Sequence, residues 1–83
     1  MKFEIITPSE KFYSAEVSYV YAPGESGYFG ILKDHVPFLT TLKDGKIKVT
    51  LENGKDKEFH VSGGLADIKD NHIKILAESV EAA

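Results

Sequence analysis

Alternation of apolar and polar residues with a period of two runs through most of the chain, and it predicts strands. In Lys46-Ile47-Lys48-Val49-Thr50-Leu51-Glu52 every second side chain is apolar. An extended segment turns such residues to one face and leaves the other wet. Lys2 to Thr7 repeats the pattern with Phe3 and Ile5 inward, Glu58 to Ser62 with Phe59 and Val61, and His72 to Ile75 with Ile73 and Ile75. Ala15 to Ala22 is rich in β-branched and aromatic residues, with Val17 inward. Its alternation slips near Val20, where a β-bulge is expected. Leu39 and Leu51 complete the expected core. No stretch carries an i, i+3, i+4 apolar stripe, so no long helix is expected.

Turn dipeptides punctuate these runs. Asp44-Gly45 and Asn53-Gly54 each lie between alternating segments and suit type I′ turns, which need positive φ at both central residues. Asp70-Asn71 is a third, less typical turn dipeptide. Short strands at this spacing predict an all-β fold: a flattened β-sandwich or barrel of about ten short strands, forming a single domain over residues 1–83.

The least regular stretch is Pro23 to Pro37, where glycines and prolines demand backbone shapes that other residues hold at a cost. Binding surfaces concentrate in such loops. Gly24, Gly27 and Gly30 form a Gly-x-x-Gly-x-x-Gly series, but a phosphate loop needs Gly-Lys-Ser/Thr opening a helix, and here Ile31-Leu32 follows. The series reads as turns and tight packing. Gly45-Lys46 and Gly54-Lys55 read as hairpin-turn lysines. Ser62-Gly63-Gly64-Leu65 reads as a sharp corner between sheets, with an anion-binding nest of backbone N–H groups as the alternative. Gly30, Pro37, Gly63 and Gly64 are thus expected at structural turns.

Composition narrows the function. The net charge is −3, from 10 basic and 13 acidic residues, and every basic residue is lysine. The charges are interspersed, so no basic patch marks a nucleic-acid surface. There is no cysteine, which excludes thiolate catalysis and disulfides. No apolar run approaches the ~20 residues of a membrane span, and the N-terminus alternates at once rather than opening as a signal peptide. The histidines, His35, His60 and His72, do not fall at metal-ligand spacing. His60 and His72 are expected on wet faces in solvated or cross-strand roles, and His35 in a partner contact or a plain loop role. A triad of Ser62, His35 and Asp67 has no serine elbow to support it. No catalytic residue, metal site or cofactor site is therefore expected. Tyr13, Tyr19, Tyr21 and Tyr28 exceed what a small core hides easily; they line the core edge or a surface that a partner covers.

Four segments then agree in order and spacing with one family. Phe3-Glu4-Ile5-Ile6-Thr7-Pro8 resembles the opening strand of F-type ATP synthase epsilon subunits. Gly27-Tyr28-Phe29-Gly30-Ile31-Leu32 followed by His35-Val36-Pro37-Phe38-Leu39-Thr40 is similar to that family's most recognisable stretch. Ser62-Gly63-Gly64-Leu65 matches its glycine corner, and Ile75-Leu76-Ala77-Glu78 its closing strand. The resemblance implies a β-sandwich at the foot of the central stalk, a non-catalytic rotor subunit that couples proton-driven rotation to ATP synthesis carried out elsewhere. It implies the gamma subunit and the membrane c-ring as partners, a monomer in isolation, and a peripheral position on the cytoplasmic face of a bacterial energy-transducing membrane. Carried over by position, Glu25, Ser26, Gly27 and Tyr28 face the ring, and Thr7, His35 and Thr40 face gamma. At Lys33-Asp34-His35 the family pattern has a proline and a glycine before the histidine, so a differently shaped loop tip is expected. Longer members continue into a C-terminal helical hairpin, which these 83 residues do not include. The competing reading is a stand-alone sandwich that binds a small ligand or carbohydrate at the Tyr28/His35 loop. A concave aromatic pocket would favour it, and a flat apolar patch with a polar rim would favour the stalk subunit.

Overall fold

Fourteen consecutive residues, Lys11–Gly24, form the longest strand, β2, and the rest of the fold is arranged around it. The structure, a computed structural model, describes residues 1–83 as nine strands without a helix. The others are β1 (Lys2–Ile6), β3 (Gly27–Ile31), β4 (Phe38–Leu42), β5 (Gly45–Leu51), β6 (Asp56–Val61), β7 (Gly64–Lys69), β8 (His72–Ala77) and β9 (Val80–Ala82). The first half of β2 pairs with β1, Phe3 opposite Ala15 and Ile5 opposite Tyr13. The second half pairs with β5 on one edge and β3 on the other. The hydrogen-bonded order is β1-β8-β7-β4-β2-β5-β6-β9, and because β1 also pairs with β2 the sheet folds back on itself. β1 and β8 run parallel; the remaining pairs are antiparallel.

The bulge in β2 lies at Ser18, between the pairs Val17–Leu51 and Tyr19–Thr50, two residues before the expected position. Ser18 turns outward there and its hydroxyl donates to the Thr50 carbonyl at 3.3 Å. The extra residue restores the phase, so that Val17, Val20 and Ala22 all point inward.

A single cluster of 16 buried apolar residues fills the interior. It contains the expected Phe3, Ile5, Val17, Ile47, Val49, Phe59, Val61, Ile73 and Ile75. Leu51 is only partly buried, at the margin. Leu39 is a correction: it is 66% exposed, and Leu42 of the same strand is buried instead. In β4, Phe38 pairs with Ile68 and Thr40 with Ala66, so the even-numbered side chains share the inward face of β7 and Leu39 faces out opposite Asp67. Ala66 and Ile68 themselves alternate with Asp67 and Lys69, a signal legible in the chain and missing from the expected core.

The turns redistribute the expected chemistry. Asp70 and Asn71 have φ of 52° and 58° and join β7 to β8, so this pair has the two positive φ values of a type I′ turn. At Asn53-Gly54 only Gly54 has positive φ, at 86°. The Gly54 N–H donates to the Leu51 carbonyl at 2.9 Å and the Leu51 N–H to the Lys55 carbonyl at 2.7 Å, a three-residue loop closed by a glycine bulge rather than a type I′ turn. Asp44-Gly45 has no positive φ and is not a hairpin turn, because β4 pairs with β7 while β5 pairs with β2 and β6. It carries the chain from one part of the sheet to another.

Gly63 and Gly64 have φ of 69° and 134° and form the expected corner. At Gly64 a Cβ would also collide with the Leu76 carbonyl oxygen and lie 3.0 Å from the Ala77 Cα, whereas Gly63 meets nothing nearer than Asp44 Oδ1 at 4.0 Å. Gly30, expected at a turn, lies inside β3. Its lack of a side chain accommodates the Tyr19 ring, which a Cβ would strike.

Candidate functional site

Strand β4 separates two shallow surfaces, because its successive side chains point to opposite sides. Thr40, with Phe38, borders a groove of about 450 Å³ whose other wall is the β2–β3 hairpin. Thr41 borders a second depression of about 540 Å³ on the outer face of β1, β8 and β7.

The first groove gathers most of the residues singled out in the chain. Glu25 and Ser26 form the hairpin tip between the paired Gly24 and Gly27. The Glu25 N–H donates to the Thr41 carbonyl at 3.1 Å and the Lys43 N–H to the Pro23 carbonyl at 2.9 Å, so the hairpin is tied to β4. Tyr28 stacks on Tyr21 with ring centroids 5.0 Å apart, and its hydroxyl accepts the Lys46 N–H at 3.2 Å. Gly45 lies under that hydroxyl, where a Cβ would come to 2.6 Å. The tyrosine is therefore held by its neighbours while remaining 49% exposed. On the opposite rim Phe29 packs edge-on against Phe38, and His35 lies against Phe38 while its Nδ1 donates to the Val36 carbonyl at 2.8 Å. Val36 is exposed beside it. Glu25, Ser26, Gly27, Tyr28, His35 and Thr40 thus line one groove. Pro37 lies in the loop between β3 and β4, next to that groove.

Thr7 lies elsewhere, against the second depression, with Ile6, Leu65 and Leu76. Its hydroxyl donates to the Glu10 carbonyl at 3.2 Å, and backbone bonds join the same two residues in both directions, so it closes the β1–β2 turn. Ile6, Leu76, Leu65 and Thr41 are successive partners across β1, β8, β7 and β4 and form one row on the outer face. Leu39 extends the patch in the next row, opposite Asp67. Alternation predicts half-wet strands here, and the signal of this patch in the chain is the apolar residues at wet positions.

The same outer face carries a charged cluster. The Glu4 carboxylate is nearly covered, accepts a hydrogen bond from Lys11 Nζ at 2.8 Å and lies 2.5 Å from His72 Nε2. The hydrogen bonds from Lys11 and then His72 hold its pKa well below the ordinary 4.5, at about 2, against the opposing effect of burial. His72 therefore has a cross-strand role, while His60 is exposed opposite Lys46.

The β3–β4 loop shows how Asp34 takes a backbone shape that favours glycine. The His35 N–H donates to the Leu32 carbonyl at 3.2 Å and Asp34 has φ of 64°, the arrangement of a type II turn with Lys33 and Asp34 at its centre. Proline and glycine suit those two positions. Asp34 adopts the left-handed conformation at a cost of about 1 kcal/mol relative to glycine. Two hydrogen bonds offset that cost: the Asp34 N–H donates to Asn71 Oδ1 at 2.7 Å, and Asn71 Nδ2 donates to Asp34 Oδ1 at 3.1 Å.

Residues 1–83 match the family described as ATP synthase, Delta/Epsilon chain, beta-sandwich domain. The chain is 45% identical over 83 residues to the ATP synthase epsilon chain of Nitratidesulfovibrio vulgaris (strain DP4), a match that takes in 100% of this chain and 61% of that relative's length. It is 43% identical over 84 residues to the ATP synthase epsilon chain of Caulobacter vibrioides, covering 100% of this chain and 96% of that one. The fold superposes with a TM-score of 0.90 and 23% identity on a chain of the Euglena gracilis mitochondrial ATP synthase (OSCP/F1/c-ring, rotational state 1), covering 96% of this chain and 51% of that one. The whole-length match assigns the chain to the ATP synthase delta/epsilon family, as its β-sandwich domain.

Proposed function

We propose that this β-sandwich is a non-catalytic rotor element of an ATP synthase, linking the gamma subunit of the central stalk to the c-ring and passing rotation between them. The match to the Caulobacter vibrioides epsilon chain, end to end at 43% identity, carries this reading. A packed sandwich suits the task, because a close-packed interior transmits strain as one body. The hairpin tip Glu25–Ser26 with Gly27 and Tyr28 faces the ring. Thr7, His35 and Thr40 face gamma through the two surfaces that adjoin β4, whose rims expose Val36, Phe38, Leu39, Leu65 and Leu76. Apolar patches of this kind, rimmed by polar residues, suit protein partners. The complex holds the domain at the cytoplasmic face of a bacterial energy-transducing membrane. The small-ligand reading has less support: the ring of Tyr28 is stacked on Tyr21 and its hydroxyl is taken by Lys46, so the groove's main aromatic is already engaged.

Adding the 83-residue chain to ATP synthase vesicles stripped of their epsilon subunit tests the proposal. Restored proton-coupled synthesis, with gamma and c-ring material co-purifying, is expected. Absence of binding to both partners would overturn it.

A further inference from the structure

The loop that presents His35 and Val36 has no strand partner between Ile31 and Phe38. Its tip is tied to the body of the domain by side-chain bonds across 37 positions of sequence, the reciprocal Asp34–Asn71 pair. Asn71 is itself well fixed. Its positive φ belongs to the β7–β8 turn, and its carbonyl accepts the Lys2 N–H at 3.0 Å, which joins the start of β1. One asparagine thus connects the β7–β8 turn, the first strand and the exposed loop. The Leu32–His35 turn lacks the proline and glycine that would fix its shape locally, because Lys33 leaves φ free and Asp34 favours positive φ less than glycine does.

We propose that Asn71 is a positioning residue: through Asp34 it holds the β3–β4 loop in the shape that presents His35 and Val36 to the partner. The inference rests on the reading of His35 as gamma-facing. The clasp replaces local stiffness with a long-range tether. Ordering the loop before binding lowers the entropy that association would otherwise have to overcome.

Glycine at position 71 keeps the positive φ of the turn and deletes only the side chain, so Asn71→Gly separates the clasp from the turn. In Asn71→Gly, amide hydrogen exchange at Asp34 and His35 is expected to quicken at least about tenfold, while the exchange of β7 and β8 core amides stays unchanged. Affinity for purified gamma subunit should fall roughly three- to tenfold. Asp34→Asn retains both donors and both acceptors and should behave as the wild type in exchange and in binding, whereas Asp34→Gly should bind no better than the wild type. Unchanged exchange at Asp34 and His35 in Asn71→Gly would overturn the tether. Faster exchange with unchanged gamma affinity would overturn its role in presenting the surface. Failure of the wild-type chain to bind gamma would refute the partner reading itself, and that result is distinguishable because it precedes any substitution.

Discussion

The two outer faces of the sandwich are built from the same alternating strands and end in opposite chemistry. Across β5 and β6 the outward side chains are paired charges. Lys46 lies 3.9 Å from Glu58 and Lys48 lies 3.4 Å from Asp56, whose other oxygen accepts the Thr50 hydroxyl at 2.8 Å. Across β1, β8, β7 and β4 one end of the face is the apolar row Ile6, Leu76 and Leu65, ending at Thr41, and the charges gather around Glu4 at the other end. Exposed ion pairs contribute little to stability, since Coulomb attraction in water is weak and ordering two long side chains opposes it. They do keep a face soluble. Exposed leucines in a row stabilise the free domain even less, yet they release water when a partner covers them. One face is thus finished in isolation, and the other keeps an uncovered apolar row.

The largest effect expected concerns the corner that both faces depend on. Gly64→Ala should destabilise the domain by more than about 2 kcal/mol, because positive φ and a backbone collision act together, while Gly63→Ala should lose only about 1 kcal/mol from its φ. Denaturation midpoints of the two variants measure the difference, and equal midpoints would show that the close approach of β8 to Gly64 does not matter.

Next, Leu65→Asp places a charge in the middle of the apolar row. It should weaken gamma binding by roughly 10- to 100-fold with a stability change under about 0.5 kcal/mol. Lys48→Asp on the opposite face should leave the affinity within about twofold. Equal losses from both substitutions in titration would erase the distinction between the faces.

A smaller effect separates the faces by pH. The folded-state pKa of Glu4 is depressed to about 2 from 4.5, so the ionised carboxylate stabilises the fold fully above about pH 4.5, and that contribution is lost as pH falls from there toward 2. Asp56 is also lowered, first by the Thr50 hydroxyl and then by Lys48, and its contribution likewise disappears on acidification below its ordinary 3.8. Glu4→Gln should flatten the acid limb of the stability curve between pH 4.5 and 2 more than Asp56→Asn does. The reverse order in acid titrations followed by circular dichroism would mean that the cluster on the β1 face is not the stronger one. The smallest effect is Lys46→Ala, expected to shift stability by less than about 0.5 kcal/mol, since the pair is exposed and long. A loss above 1 kcal/mol in chemical denaturation would make the charged face a structural element rather than a solvated one.

Period-two alternation by itself determined the class of fold and most of the interior. Ile47, Val49, Phe59, Val61 and Ile73 have polar neighbours on both sides, so only one face of each strand can be buried. The glycine corner was legible for a similar reason, since consecutive glycines between strands mark a backbone shape with positive φ. Tertiary structure decided what the local pattern left degenerate. Phe38-Leu39-Thr40-Thr41-Leu42 offers an apolar residue to either face, and the register against Ala66 and Ile68 turned Leu39 outward, because shifting a strand by one residue exchanges its faces. The gathering of Glu25, Tyr28, His35 and Thr40 into one groove, with Thr7 on another surface, depends on β4 lying between the β2–β3 hairpin and β7. So does the Asp34–Asn71 clasp depend on a contact between distant segments. Local periodicity reports which side of a strand is buried; only the pairing of strands far apart in the chain brings their side chains together.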